Sequence, residues 1–212
     1  MTQIETALVY FVTMLVSLTF HEAAHALVAT LKGDSTAKDR GRLSLNPLRH
    51  ADLFGTVLLP LAGALSHAPI LGWAKPVPVD LRNLKRPRWD YLQVAAAGPL
   101  ANLLLAAVAM AVGMLVQPEA GWAKGLFTAL MSVNAYLAVF NLLPLPPLDG
   151  GTVAAALLPP GLGDRYLRVV RPYGFFVLIV AMYAGALNWL PELASGYLVL
   201  VHGMLSQAFG LI

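Results

Sequence analysis

Five stretches of this chain, roughly 6–31, 91–116, 126–143, 173–190 and 193–212, are apolar over the length of a helix and hold almost no charge. Crossing the hydrocarbon core of a bilayer takes about 20 mostly apolar residues in a helix. Backbone in that core must satisfy its own hydrogen bonds, which leaves helices and closed barrels as the solutions. The stretches therefore predict an all-α polytopic membrane protein. Composition agrees: 58% of the 212 residues are hydrophobic and 12% are charged, whereas soluble domains carry about 25% charged residues. A soluble enzyme, a disordered tail and a nucleic-acid-binding domain are excluded, the last because it needs a basic stripe on a polar surface. The formal net charge of +3 fits basic cytoplasmic loops instead. There is no cysteine, hence no disulfide framework and no thiolate ligand.

A sixth apolar segment, 52–71, is interrupted by Pro60, Gly63, His67 and Pro69, which weaken a helix. Its path sets the topology. Lys and Arg cluster at Lys32–Arg49, at Lys75–Arg88 and at Arg165–Arg171, and Lys124 is the only other. If 52–71 crosses fully, the second cluster lands outside, against the bias of basic residues to the cytoplasm. If it dips in and returns, all three clusters share the inner side. The re-entrant path is preferred. It gives five full crossings, an external N-terminus and a cytoplasmic C-terminus. No basic residue precedes Ala7, so the first span is expected to be retained rather than removed as a signal peptide.

Two further segments do not read as helix. Arg42-Leu43-Ser44-Leu45 alternates polar and apolar, as a half-exposed strand does. Trp73–Val79 is extended, and Pro76 and Pro78 would confine it to a sheet edge. Either both are loops on the membrane surface, or they form a small β segment with an exposed edge. Pro159 to Asp164 is the clearest linker, dividing a core from two C-terminal helices.

The first span carries His21-Glu22-Ala23-Ala24-His25. On a helix, residues i and i+4 share a face, so both imidazoles can reach one metal ion, with zinc the usual occupant. Coordination lowers the pKa of a bound water from near 16 to about 7. Glu22, on the flank of that face, can take the water's proton and pass it to a leaving amine. A polar patch facing a neighbouring helix is the plainer explanation. Ionisable residues within a span are costly, however, and mark function.

A catalytic zinc needs a third protein ligand. Leu31 stands where a soluble zinc protease would carry another histidine. Glu5, Asp34, Asp39, Asp52, Asp80, Asp90, Glu119, Asp164 and Glu192 fall in loops or at their edges. His50 sits in a basic loop and is expected to be solvated; His67 lies in the doubtful segment; His202, in the last span, suits an interhelical hydrogen bond. Asp149 remains, in Asn141-Leu-Leu-Pro-Leu-Pro-Pro-Leu-Asp149-Gly-Gly. Asp before Gly-Gly also suits an ordinary turn or the N-cap of 152–158. Membrane depth favours a ligand, because Asp149 follows a span that ends at the level of His21 and His25.

These features together resemble the site-2 protease family of intramembrane metalloproteases. The carriers are His21–His25, the stretch from Asn141 to Gly150, and Ala97-Gly98-Pro99-Leu100-Ala101-Asn102. Gly41–Pro47 and Gly72–Val79 are similar to the compact bacterial branch. The resemblance covers nearly the whole chain. It implies a single membrane-embedded peptidase domain over 1–212, with a catalytic core at about 6–158 and C-terminal helices at about 173–212. It implies one zinc ion on His21, His25 and Asp149, with Glu22 as general base. Asn102 and Asn141 would face the site and hold substrate backbone or the oxyanion, although interhelical hydrogen bonding explains them as well. A three-helix core, 6–31, 91–116 and 126–143, is implied too. Many relatives carry a PDZ or CBS domain, for which 212 residues leave no room.

Substrates would be membrane proteins with a transmembrane segment, cut within the lipid bilayer. Such a helix must unwind before hydrolysis, and its freed backbone groups need partners. Strand addition beside Val77 and Val79 would supply them. A metal transporter or sensor would instead need ionisable residues along a path through the bundle, and spans 91–116 and 173–190 have no acid or histidine. An inactive family member acting as a membrane binding protein would be expected to show a broken motif. The expectation is an intramembrane zinc metalloendopeptidase with no nucleic-acid partner.

Overall fold

The first helix, α1 (Gln3–Leu31), starts three residues before the apolar run because Thr2 and Glu5 form a reciprocal capping box. Its Thr13, Ser17, His21 and His25 recur every fourth residue and are buried, while Leu8, Val12, Val16, Leu27 and Leu31 are exposed. Polar groups inside and large apolar groups outside invert the pattern of a soluble helix. A lipid-facing surface explains it.

The computed structural model describes residues 1–58 and 74–210. After α1 come a short α2 (Thr36–Asp39), a single 3-10 turn at Pro47–Arg49 and a π-helical turn at Leu53–Leu58. A second 3-10 turn, Leu81–Asn83, leads into α3 (Pro87–Val116). Then follow α4 (Gly121–Asn141), α5 (Asp149–Leu157), α6 (Leu162–Tyr183) and α7 (Leu190–Ala208). The expected three-helix core is present: α1, α3 and α4 pack on one another. Ala26 and Ala29 of α1, Ala97, Gly98 and Ala106 of α3, and Ala129, Ala135 and Ala138 of α4 are all buried. Such small residues let backbones approach where lipid gives no hydrophobic drive to helix association.

Helices α1, α3, α4 and α6 are long and apolar enough to cross a membrane. The stretch expected as a fifth crossing, 193–212, corresponds to α7, which does not reach that standard among the described residues. Pro191, Glu192, His202 and Gln207 dilute its apolar run. Helix α6 begins eleven residues before the expected 173, since Arg165, Arg168 and Arg171 extend it beyond the apolar part. The linker is correspondingly shorter, and Asp164 lies in the first turn of α6.

The small β segment is not formed; the described residues contain no strand. Residues 74–80 run without helix or ladder. Pro76 and Pro78 have no N–H to give. The Lys75 N–H donates to His50 O at 2.8 Å, and the Lys75 carbonyl accepts from the Arg42 guanidinium rather than from a strand. The 41–46 stretch is tied to its chain neighbours on either side instead, with Arg42 N–H on Ala37 O at 2.8 Å and His50 Nε2 on Ser44 O at 2.7 Å.

The re-entrant path assigned to 52–71 falls mostly on 59–73, with His67, outside the described residues. Its two flanks meet, however, in the His50–Lys75 bond. Asp34, at the end of α1, adds a second tie. Its carboxylate accepts from Asp80 N–H at 2.8 Å, Asn83 Nδ2 at 2.9 Å and Thr36 N–H at 3.1 Å. The first two basic clusters thus occupy the same end of α1 and α3.

Candidate metal centre

His21 and His25 stand one turn apart on α1, and their rings meet edge to face with centroids 4.6 Å apart. Asp149 is the first residue of α5, one after the N-cap Leu148. Its Oδ2 lies 3.1 Å from His21 Nε2 and 3.3 Å from His25 Nε2, and the two Nε2 atoms are 3.1 Å apart. The Asp149 carboxylate thus faces the two histidines.

The other ring nitrogens fix the tautomers. His21 Nδ1 lies 2.6 Å from Asn102 Oδ1. The Asn102 carboxamide can be oriented only one way, because its Nδ2 faces Ser17 O at 3.3 Å and Asn134 Oδ1 at 2.7 Å. Asn102 Oδ1 can only accept, so His21 Nδ1 carries the proton. His25 Nδ1 donates likewise to Val94 O at 2.6 Å. In its neutral form each imidazole has one N–H, which leaves both Nε2 lone pairs facing each other and the carboxylate. Three electron pairs converging in a buried space repel unless a cation lies between them. Asp149 Oδ2 is buried and without a hydrogen bond, as a metal ligand would be.

The spacing suits zinc. Tetrahedral ligands at bonds of about 2.0–2.1 Å are about 3.3–3.4 Å from one another, close to the three separations found. Space is kept open from the opposite side by Gly98 on α3. A Cβ there would overlap His25 Nε2 and come within 2.6 Å of His21 Nε2. These residues fit a divalent ion held by two imidazoles and a carboxylate.

Glu22 is buried beside His21 on the same helix. Its carboxylate is near enough to act electrostatically on the guanidinium of Arg42. Arg42 is 6% exposed, and it links the neighbourhood of Glu22 to the Lys75 carbonyl. A buried arginine in a basic loop leaves no sequence signal, since its neighbours Arg40 and Arg49 look the same on paper.

Asn102 is fully buried, and both ends of its carboxamide are engaged behind His21. It stands away from any open face of the site. Asn141, the last residue of α4, gives its Nδ2 to Leu137 O at 3.0 Å and makes no contact with the ligands. Asn134 was not singled out, although an asparagine in a span is itself a signal; it completes the chain Asn134–Asn102–His21. Val77 and Val79 lie on the 74–80 segment, which is neither helix nor strand, and their N–H groups bond to no described residue. His202 is exposed on α7 and takes no part.

One loop residue contradicts expectation, and a second, Asp34, lies in a loop as expected but is buried. His50 is 2% exposed rather than solvated, and Asp34 is fully buried. Burial alone would raise the Asp34 carboxyl, but hydrogen bonds from Asn83, Thr36 and Asp80 outweigh it and hold it below the usual carboxylate range. Asp80 is lowered to about 2, chiefly by its hydrogen bond from the Arg82 guanidinium.

The profile of the family described as Peptidase family M50 matches residues 9–120 and 117–181. A Bacillus subtilis (strain 168) protein named "Putative zinc metalloprotease YwhC" is 42% identical over 177 residues, covering 80% of this chain and 77% of that protein. "Putative zinc metalloprotease Rip2" of Mycolicibacterium smegmatis is 32% identical over 208 residues, 91% of this chain and 77% of the relative. "Zinc metalloprotease MJ0392" of Methanocaldococcus jannaschii is 26% identical over 181 residues, 85% of this chain and 43% of that protein. No solved structure gives a significant match.

Proposed function

The chain belongs to peptidase family M50, the site-2 protease family, and on that premise we propose that this membrane metalloprotease hydrolyses peptide bonds within or near transmembrane segments of other membrane proteins. One observation carries the reading. His21 Nε2, His25 Nε2 and Asp149 Oδ2 converge to within 3.1–3.3 Å of one another, while both Nδ1 atoms are hydrogen-bonded elsewhere.

A zinc ion held by these three residues would act as a Lewis acid and bring a bound water's pKa near neutrality. Glu22 is the general base: it takes the proton from the attacking water and gives it to the leaving nitrogen. Asn102 acts at one remove. By accepting from His21 Nδ1 it holds the ring's tautomer and direction, as the outer partners of metal-bound histidines do. The oxyanion role first expected for Asn102 and Asn141 has no support from their positions, and neither is assigned it.

The segment at Val77 and Val79 is proposed to receive the unwound substrate as an added strand. Two N–H groups that bond to no described residue, on backbone that is neither helix nor strand, support this, as does the need of an unwound peptide for partners. The ties from Asp34 to Asp80 and from His50 to Lys75 support a cytoplasmic position for both basic clusters. In the proposed orientation the N-terminus is external, the C-terminus cytoplasmic and the site toward the cytoplasm. The whole chain acts as one membrane-embedded peptidase domain.

The test is cleavage of single-span substrates by purified wild type and Glu22→Gln, with metal content measured on both. Loss of the base is expected to slow cleavage by about 10²–10⁴-fold with one zinc retained. A metal-free wild type, or a variant that cuts equally well, ends this reading. If Val77→Pro with Val79→Pro leaves cleavage intact, the strand-addition step is dropped.

A further inference from the structure

Asp149 differs from the two histidines in what supports it. They lie in the middle of a helix that packs on α3 and α4. Asp149 follows a non-helical strap, 142–148, between α4 and α5. That strap is held from outside the three-helix core by α6. Gly174 of α6 lies so close to Pro146 that any Cβ would overlap the Pro146 carbonyl. Gly163, eleven residues earlier and so on nearly the same face, abuts the carbonyl of Ala155 in α5 in the same way. Between them Tyr166 donates its hydroxyl to Pro144 O at 2.5 Å. Among the described helices, α5 is the one against which α6 chiefly packs.

We propose that α6 is the positioning element for the third metal ligand, with Tyr166 and Gly174 as the positioning residues that hold the Asp149 strap against His21 and His25. This rests on the zinc-site reading above. Neither residue touches a ligand atom. Each fixes a carbonyl of the strap, and Asp149 is three residues beyond Pro146. The zinc site tolerates little displacement, because its three ligand atoms already lie at 3.1–3.3 Å from one another. The spacing that keeps α6 against the strap therefore enters the affinity for the ion, though α6 contributes no ligand.

The experiment compares wild type, Tyr166→Phe, Gly174→Ala and Tyr197→Phe, each purified in full length. Tyr197 is the control: its hydroxyl donates to Leu103 O at 2.7 Å, an equivalent bond between α7 and α3 away from the strap. Zinc affinity is measured by competition with a chelator, and the visible spectrum of the cobalt-loaded protein reports ligand geometry. Tyr166→Phe and Gly174→Ala are expected to weaken zinc binding by about 10–100-fold and to alter the cobalt spectrum, with Tyr197→Phe unchanged in both. If Gly174→Ala fails to fold, Tyr166→Phe alone decides. Wild type that binds zinc, with Tyr166→Phe matching Tyr197→Phe in affinity and spectrum, overturns the inference and leaves the site intact. Wild type that binds no zinc overturns both.

Discussion

His21 Nδ1 and Asn102 Oδ1 lie 2.6 Å apart across the α1–α3 interface, and both are buried. The bond ties a ligand's tautomer to a residue 81 positions away. Asn102→Ala removes that acceptor and leaves the imidazole free to turn or to protonate at Nε2. Metal affinity should fall about 10–100-fold. Asn134→Ala, one bond further out, should cost less. Chelator competition on both variants orders the effects, and equal losses would sink the relay.

Gly98 offers a sharper test because it contributes no atom to the site. Gly98→Ala leaves every ligand in place and puts a methyl against both Nε2 atoms. Backbone of α3 stands behind it and cannot retreat without parting from α1. The variant should lose stoichiometric zinc, and with it cleavage, while its helical circular dichroism stays as in wild type. Retention of one zinc per chain would refute the cradle.

Asp34 predicts a pH dependence. Its folded carboxyl is held below the ordinary value. It therefore contributes stability that is complete above the unfolded pKa of about 3.9 and is lost as pH falls through the lower folded pKa. Hydrogen bonds to a charged group are worth about 1.5–3 kcal/mol each, so Asp34→Ala should lower thermal stability at pH 7. The gap from wild type should narrow as pH falls below the ordinary carboxyl range and through the lower folded pKa. Melting curves in detergent from pH 7 to pH 2.5 check the sign; a gap that widens on acidification is incompatible with this account.

Orientation can be read with a cysteine, since the chain has none of its own. Asn83 is a poor place for it, because its side chain bonds Asp34. Lys85 is exposed and bonds to nothing in the Asp34 cluster. Lys85→Cys should be inaccessible to an impermeant maleimide in intact cells and labelled after permeabilisation. Labelling from outside would reverse the proposed topology.

The sequence alone determined the kind of molecule and pointed to all three candidate metal ligands. Apolar length against charge is a local property, so the membrane class and the three core helices could be read without knowing what touches what. The His21–His25 spacing is fixed by the helix repeat, and Asp149 could be chosen because few acids lay at the right depth. Tertiary structure decided everything that depends on a partner distant in the chain. Asn102 turns its Oδ1 to His21, because Ser17 and Asn134 take its other end. Arg42 and Asp34, indistinguishable on paper from solvated loop charges, are buried because the loops before and after 59–73 fold onto each other. The β edge does not pair, since the Lys75 N–H and carbonyl are taken by His50 and Arg42. Gly98 carries the same lesson: its motif is visible in one dimension, but the need for a missing Cβ arises only where α3 meets two imidazoles of α1.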